Sequence, residues 1–101
     1  QMHDGARAIQ FLRSNASRWN VDSQRVAAVG NSAGAGIALW LATHDDLADA
    51  ASDDPIDRQS TRLSCAVGLH AQTTYDPREI KRVVPGNAYD HSRLRPQTLL
   101  Y

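Results

Sequence analysis

One serine in this chain stands between glycines, in the run Gly30, Asn31, Ser32, Ala33, Gly34, with Gly36 two residues further on. A serine hydroxyl is a weak nucleophile until a base takes its proton and hydrogen-bond donors receive the charge that develops on the attacked carbonyl. The spacing G-x-S-x-G serves that chemistry when a strand precedes it and a helix follows. A sharp turn then holds the serine in a strained conformation and lifts its hydroxyl out of the carboxyl edge of a sheet. The spacing predicts Ser32 as nucleophile. It predicts that Gly30 and Gly34 leave room for two chain segments to pass, and that the Ala33 N–H, at the helix start, points at the oxyanion with the helix dipole behind it. Gly36 removes one more side chain where helix and strand pack. The bland reading is a glycine-rich turn that happens to hold a serine. A dinucleotide fingerprint fits worse, because Leu39 stands where Gly or Ala is required, and no lysine follows these glycines as in a phosphate loop.

The flanks have the required character. "RVAAVG", Arg25 to Gly30, is short and nearly all apolar, which suits a strand of a parallel sheet covered on both sides. Ala33 to His44 is rich in helix formers and apolar nearly all round, predicting a buried helix. Upstream, Ile9, Leu12, Ala16 and Trp19 recur at helical spacing between His3 and Trp19, predicting an amphipathic helix with Asp4 as N-cap, Asn20 as its stop and Asp22 turning the chain through Ser23 and Gln24. Asp45 to Arg62 is dense in aspartate and reads as a solvated connection. "LSCAVGL", Leu63 to Leu69, is a second buried strand with Cys65 as an inert buried thiol, followed by a loop and a short helix, Arg78 to Val84, ended by Pro85-Gly86. The order helix, strand, helix, loop, strand is that of an α/β fold with right-handed crossovers building a parallel sheet. Two strands are not a whole sheet, so residues 1–101 read as a partial domain.

Composition narrows the partners. Eleven basic and 11 acidic residues give zero formal net charge, so nothing global draws the chain to nucleic acid or an anionic membrane. Arg78, Lys81, Arg82, Arg93 and Arg95 make a mildly basic tail without interleaved aromatics. The longest apolar run, Ile37 to Ala42, is too short to span a bilayer, and no stretch reads as a signal peptide. One cysteine excludes an internal disulfide and a multi-cysteine metal site. The aspartates from Asp45 to Asp57 miss the spacing of a calcium loop, so no metal is expected. Trp19 and Trp40 read as core. Compartment and oligomeric state stay open.

The stretch Asp4 to Ala42, with "W-x-V-D-x-x-R-V" from Trp19 and "G-x-S-A-G" from Gly30, resembles the nucleophile region of α/β-hydrolases, in particular the serine esterase and lipase-like branch. "RLSCAVGLHAQTTYDPR", Arg62 to Arg78, continues the likeness loosely, and Ala35 stands where many relatives have a second glycine. The resemblance implies a carboxylic ester hydrolase acting on a small-molecule ester without metal or organic cofactor, through an acyl-enzyme on Ser32 with the Ala33 N–H in the oxyanion hole. It also implies that the triad acid and histidine follow further strands beyond residue 101, that a glycine-rich oxyanion loop precedes the first helix, and that residues 1–101 alone are inactive.

The four histidines fit the role of base poorly. His44 lies 12 residues along the same helix from Ser32, about 18 Å at 1.5 Å per residue. His3 opens the first helix at the surface. His70, directly after a strand on the edge where Ser32 emerges, suits a substrate-pocket residue better than a base. His91, with Asp76 or Asp90, satisfies only the formal chain order. Two other functions share these features: a prolyl-oligopeptidase-like peptidase, and a hydrolase-fold binding protein without catalysis.

Overall fold

The computed structural model describes residues 1–72, 74 and 76–84, in two units divided after Ala71. The first unit contains helix α1 (Met2–Ser14), strand β1 (Ala27–Asn31), helix α2 (Ala33–Thr43) and strand β2 (Cys65–Leu69). The strands pair in parallel, with Ala27 opposite Cys65 and Asn31 opposite Leu69. The crossover through α2 and the long loop is the connection a parallel pair requires.

Side-chain size divides the sheet. Strand residues alternate faces, so Ala28, Gly30, Ala66 and Gly68 share one face while Ala27, Val29, Asn31, Cys65, Val67 and Leu69 share the other. Helix α2 packs on both strands across the small-residue face and buries Ala35, Gly36, Ala38 and Leu41. The approach is close: a Cβ on Gly68 would lie 3.2 Å from Leu39 and 3.4 Å from Ala35 Cβ. The opposite face is open. Val29 is 71% exposed, Val67 46% and Leu69 52%. Among the described residues, burial on both faces, expected from the apolar runs, does not hold, and Cys65 is exposed rather than buried.

Helix α1 packs on α2. A Cβ on Gly5 would meet Ile37 Cγ2 at 2.5 Å, so glycine lets the helices close. The buried stripe is Met2, Ala6 and Gln10, not the expected Ile9, Leu12 and Trp19, although Ala16 is buried. Trp19 is 46% exposed and meets the edge of Phe11, ring centroids 5.6 Å apart, so it is not core. Asp4 lies in the first turn and Gln1 holds the N-cap position, which corrects the expected cap. Regular helix stops at Ser14, five residues earlier than predicted. Asn15, at φ −105°, is the helix's C-cap instead of the expected Asn20, and the chain turns on to Asn20, which lies in the left-handed region at φ 55°. Asp22 Oδ1 accepts from the Gln24 N–H at 2.9 Å, and its Oδ2 accepts from Arg25 Nε at 2.7 Å.

The aspartate-rich connection is not the loosely solvated segment that its composition suggests. Arg7 donates to Asp57 Oδ1 and, at 2.5 Å, to Asp54 Oδ2. Gln10 Nε2 donates to the carbonyls of Asp57 at 3.1 Å and Gln59 at 2.9 Å, and Arg13 donates to the carbonyls of Ser60 and Arg62. Asp46 gathers the other end, accepting from Ser60 Oγ at 2.7 Å and the Thr61 N–H at 2.8 Å. The polar face of α1 is thus the platform on which this loop is laid.

In the second unit, helix α3 (Pro77–Val83) is capped by Asp76, whose Oδ1 accepts from the Arg78 N–H at 2.9 Å. Pro85, Gly86, Asp90 and His91 lie outside the described residues. No helix among the described residues is long and apolar enough to cross a membrane.

Candidate active site

The bend after β1 is set by backbone geometry. Ser32 has φ 53° and ψ −118°, a left-handed conformation that costs a non-glycine residue about 1–3 kcal/mol. Three backbone bonds hold it. Its N–H donates to the Leu69 carbonyl at 2.9 Å, and its carbonyl accepts from the N–H groups of Ala35 at 3.0 Å and Gly36 at 3.3 Å. The first ties the bend to β2, and the others start α2. Ser32 is exposed.

The flanking glycines are not equivalent. A Cβ on Gly30 would overlap the carbonyl of Gly34 and lie 2.6 Å from the Ala35 nitrogen, so only glycine lets the incoming strand pass under the outgoing helix. A Cβ on Gly34 would meet nothing within 4 Å. The room attributed to both glycines is needed at Gly30 alone.

Ala33 is the first residue of α2, where no intrahelical acceptor exists for its N–H, and the positive end of the helix dipole gathers there. Ala33 is exposed beside Ser32. The arrangement therefore offers a hydroxyl and a backbone donor side by side at the carboxyl edge of a parallel pair.

Across that edge, Asn31 and His70 meet. The ring nitrogen Nδ1 of His70 lies 3.0 Å from Asn31 Oδ1. A carboxamide oxygen only accepts, so the tautomer that makes this bond is the one with the proton on Nδ1. His70 has φ 52°, the second left-handed non-glycine residue at this edge. The register ends with Asn31 opposite Leu69, and Ser32 and His70 are the residues that follow each strand. Sequence reasoning named Asn31 only as part of the glycine motif; the contact was signalled by an asparagine and a histidine at matching ends of two neighbouring strands.

Within the first unit, two other histidines lie away from this edge. His44 caps the far end of α2 and stacks on Trp40, ring centroids 3.9 Å apart, while His3 meets the edge of the same indole at 5.7 Å. Asp76 is committed to α3: the Arg78 side chain and backbone N–H hold its carboxyl down at about 2. No carboxylate is bonded to the His70 ring among the described residues.

A parallel pair whose first strand turns through a left-handed serine into a covering helix is the arrangement of the α/β-hydrolase class. The BD-FAE family model matches residues 1–89, and the chain belongs to that family of α/β-hydrolase-type esterase domains. In the acetyl ester-xyloside bifunctional hydrolase of Caldicellulosiruptor lactoaceticus, a solved structure superimposes on 74% of this chain with a TM-score of 0.70 and 33% identity. The chain is also 41% identical over 49 residues, 48% of its length, to endo-1,4-beta-xylanase B of Butyrivibrio fibrisolvens. It spans 28% of the first protein's chain and 8% of the second's length.

Proposed function

We propose that the protein carrying this chain is a serine hydrolase of carboxylic esters, with Ser32 as the nucleophile. The observation that carries the reading is the strained, exposed Ser32 backbone at the junction of β1 and α2. Ser32 Oγ bonds to the ester carbonyl carbon while its proton passes to a histidine from outside the described residues. The Ala33 N–H receives the charge on the carbonyl oxygen. The tetrahedral species collapses, the C–O bond to the alcohol breaks, and the histidine returns the proton to the departing alkoxide. Water, deprotonated by the same base, then attacks the acyl-enzyme, releasing the acid and restoring Ser32. These steps use no metal or organic cofactor.

The named activities of the two similar proteins favour acetyl esters of xylose-containing carbohydrates as the first substrates to try. The test is labelling of the intact protein by a fluorophosphonate, together with hydrolysis of p-nitrophenyl acetate, acetylated xylan and aminoacyl amides. Wild type should label and cleave the esters. Ser32→Ala should abolish labelling and lower kcat by at least about 10³-fold. Unchanged activity in that variant would remove Ser32 from the reaction, and preference for amides would favour a peptidase.

A further inference from the structure

Ser32 and His70 share an unusual backbone state, φ 53° and φ 52°, at the ends of two paired strands. Strained residues persist only where their surroundings over-determine them. For Ser32 the backbone supplies three bonds, all on its own N–H and carbonyl. The residue before it, Asn31, has its side chain on the open face of the sheet, away from α2. That side chain's partner is the His70 ring. The left-handed turn at His70 in turn follows directly from Leu69, whose carbonyl receives the Ser32 N–H. The Asn31–His70 contact and the Ser32–Leu69 contact are therefore parallel ties between the same two strand ends, one through side chains and one through backbone.

We infer that the Asn31–His70 hydrogen bond is a latch that holds Ser32 in its attacking conformation, which makes His70 a positioning residue acting through Nδ1 rather than a base or a substrate ligand acting through Nε2. The inference rests on Ser32 being the nucleophile. Two observations favour Nδ1. It is the nitrogen already engaged, and no hydrogen bond joins Ser32 Oγ to the ring among the described residues. A histidine in the left-handed region is also one of the few side chains that adopts it readily, so the bend at His70 is built into the latch.

The two nitrogens can be separated by substitution in the intact protein. An asparagine at position 70 keeps an amide N–H near the place of Nδ1, and a glutamine keeps one near Nε2. With p-nitrophenyl acetate and fluorophosphonate as probes, Asn31→Ala and His70→Ala should each lower kcat and the labelling rate about tenfold with KM little changed. The double variant should be no worse than either single one. His70→Asn should recover most of the loss, and His70→Gln should not. Recovery by His70→Gln instead, a loss confined to KM, or full-rate labelling of His70→Ala would overturn the latch. Retained activity in Ser32→Ala would overturn the nucleophile reading, a separate outcome from these.

Discussion

The bend at Ser32, between β1 and α2, and the connection from Asp45 to Arg62 both break the regular structure around the same strand pair, and they are held in different ways. The bend is fixed mainly by steric exclusion and backbone bonds, Gly30 against the Gly34 carbonyl and Ser32 against Leu69 and Ala35, with one side-chain tie, Asn31 to His70, beside them. The connection is fixed by side chains, with Arg7, Gln10 and Arg13 of α1 reaching down to aspartates and carbonyls. A segment held by exclusion has one permitted geometry, which suits a reacting atom. A segment held by many polar contacts can lose one and keep the rest.

The glycine pair breaks or sharpens that contrast most strongly. Gly30→Ala should destabilise the protein by about 3 kcal/mol or more, because the clash is with backbone that cannot rotate away. Gly34→Ala, in open space within the first turn of α2, should be neutral or stabilising by about 0.5 kcal/mol. Thermal unfolding of both variants measures this. Equal losses at the two positions would mean that the motif's symmetry, not the single crossing at Gly30, governs the bend.

The bend was legible because its determinants lie within a few residues of one another. Gly30, Ser32 and Gly34, an apolar run before and helix formers after, state strand, turn and helix locally. The connection was not, because the partners of its aspartates lie 47 and 50 residues away on α1, a distance across which composition carries no geometry. The same blindness explains Trp19 and Cys65. Apolar character predicted burial, yet burial depends on what covers a face, and among the described residues only the α2 face of the strand pair is covered. The alternation of small residues in "AAVGN" and "CAVGL" was the available signal for which face that is. The Asn31–His70 contact went unread for a related reason: it depends on strand register, which a single strand's sequence does not state.

Gln10 tests the second half of the contrast. Its side chain is buried, 5% exposed, and its one amide nitrogen serves the carbonyls of Asp57 and Gln59. Gln10→Leu keeps the volume and strands those acceptors, so it should cost about 1–3 kcal/mol in chemical denaturation. Because Arg7 and Arg13 still hold the loop, hydrolysis of p-nitrophenyl acetate by the folded variant should stay within about twofold of wild type, a ceiling set by the near-additivity of distant sites. A large kcat loss would show that the two segments are coupled rather than independently held.

The smallest effect belongs to Asp46, and it disappears only in acid. Partial desolvation of its carboxyl would raise its pKa, but hydrogen bonds from Ser60 Oγ, the Thr61 N–H, the Ala48 N–H and Thr61 Oγ outweigh it and hold the carboxyl at about 2. In the unfolded chain an aspartate titrates near about 3.9. Between these values the unfolded state binds the proton first. The stabilisation is therefore complete above about pH 4 and is lost as pH falls toward 2. Asp54, lowered chiefly by its bond from Arg7, adds a contribution of the same sign. Asp46 is exposed, so its share is worth less than about 1 kcal/mol after solvent screening. Asp46→Asn should lie below wild type in melting temperature at neutral pH, with the gap closing between about pH 4 and pH 2. A gap that stays constant with pH would assign the loop's order to shape rather than to charge, and the connection would then be held in the same way as the bend.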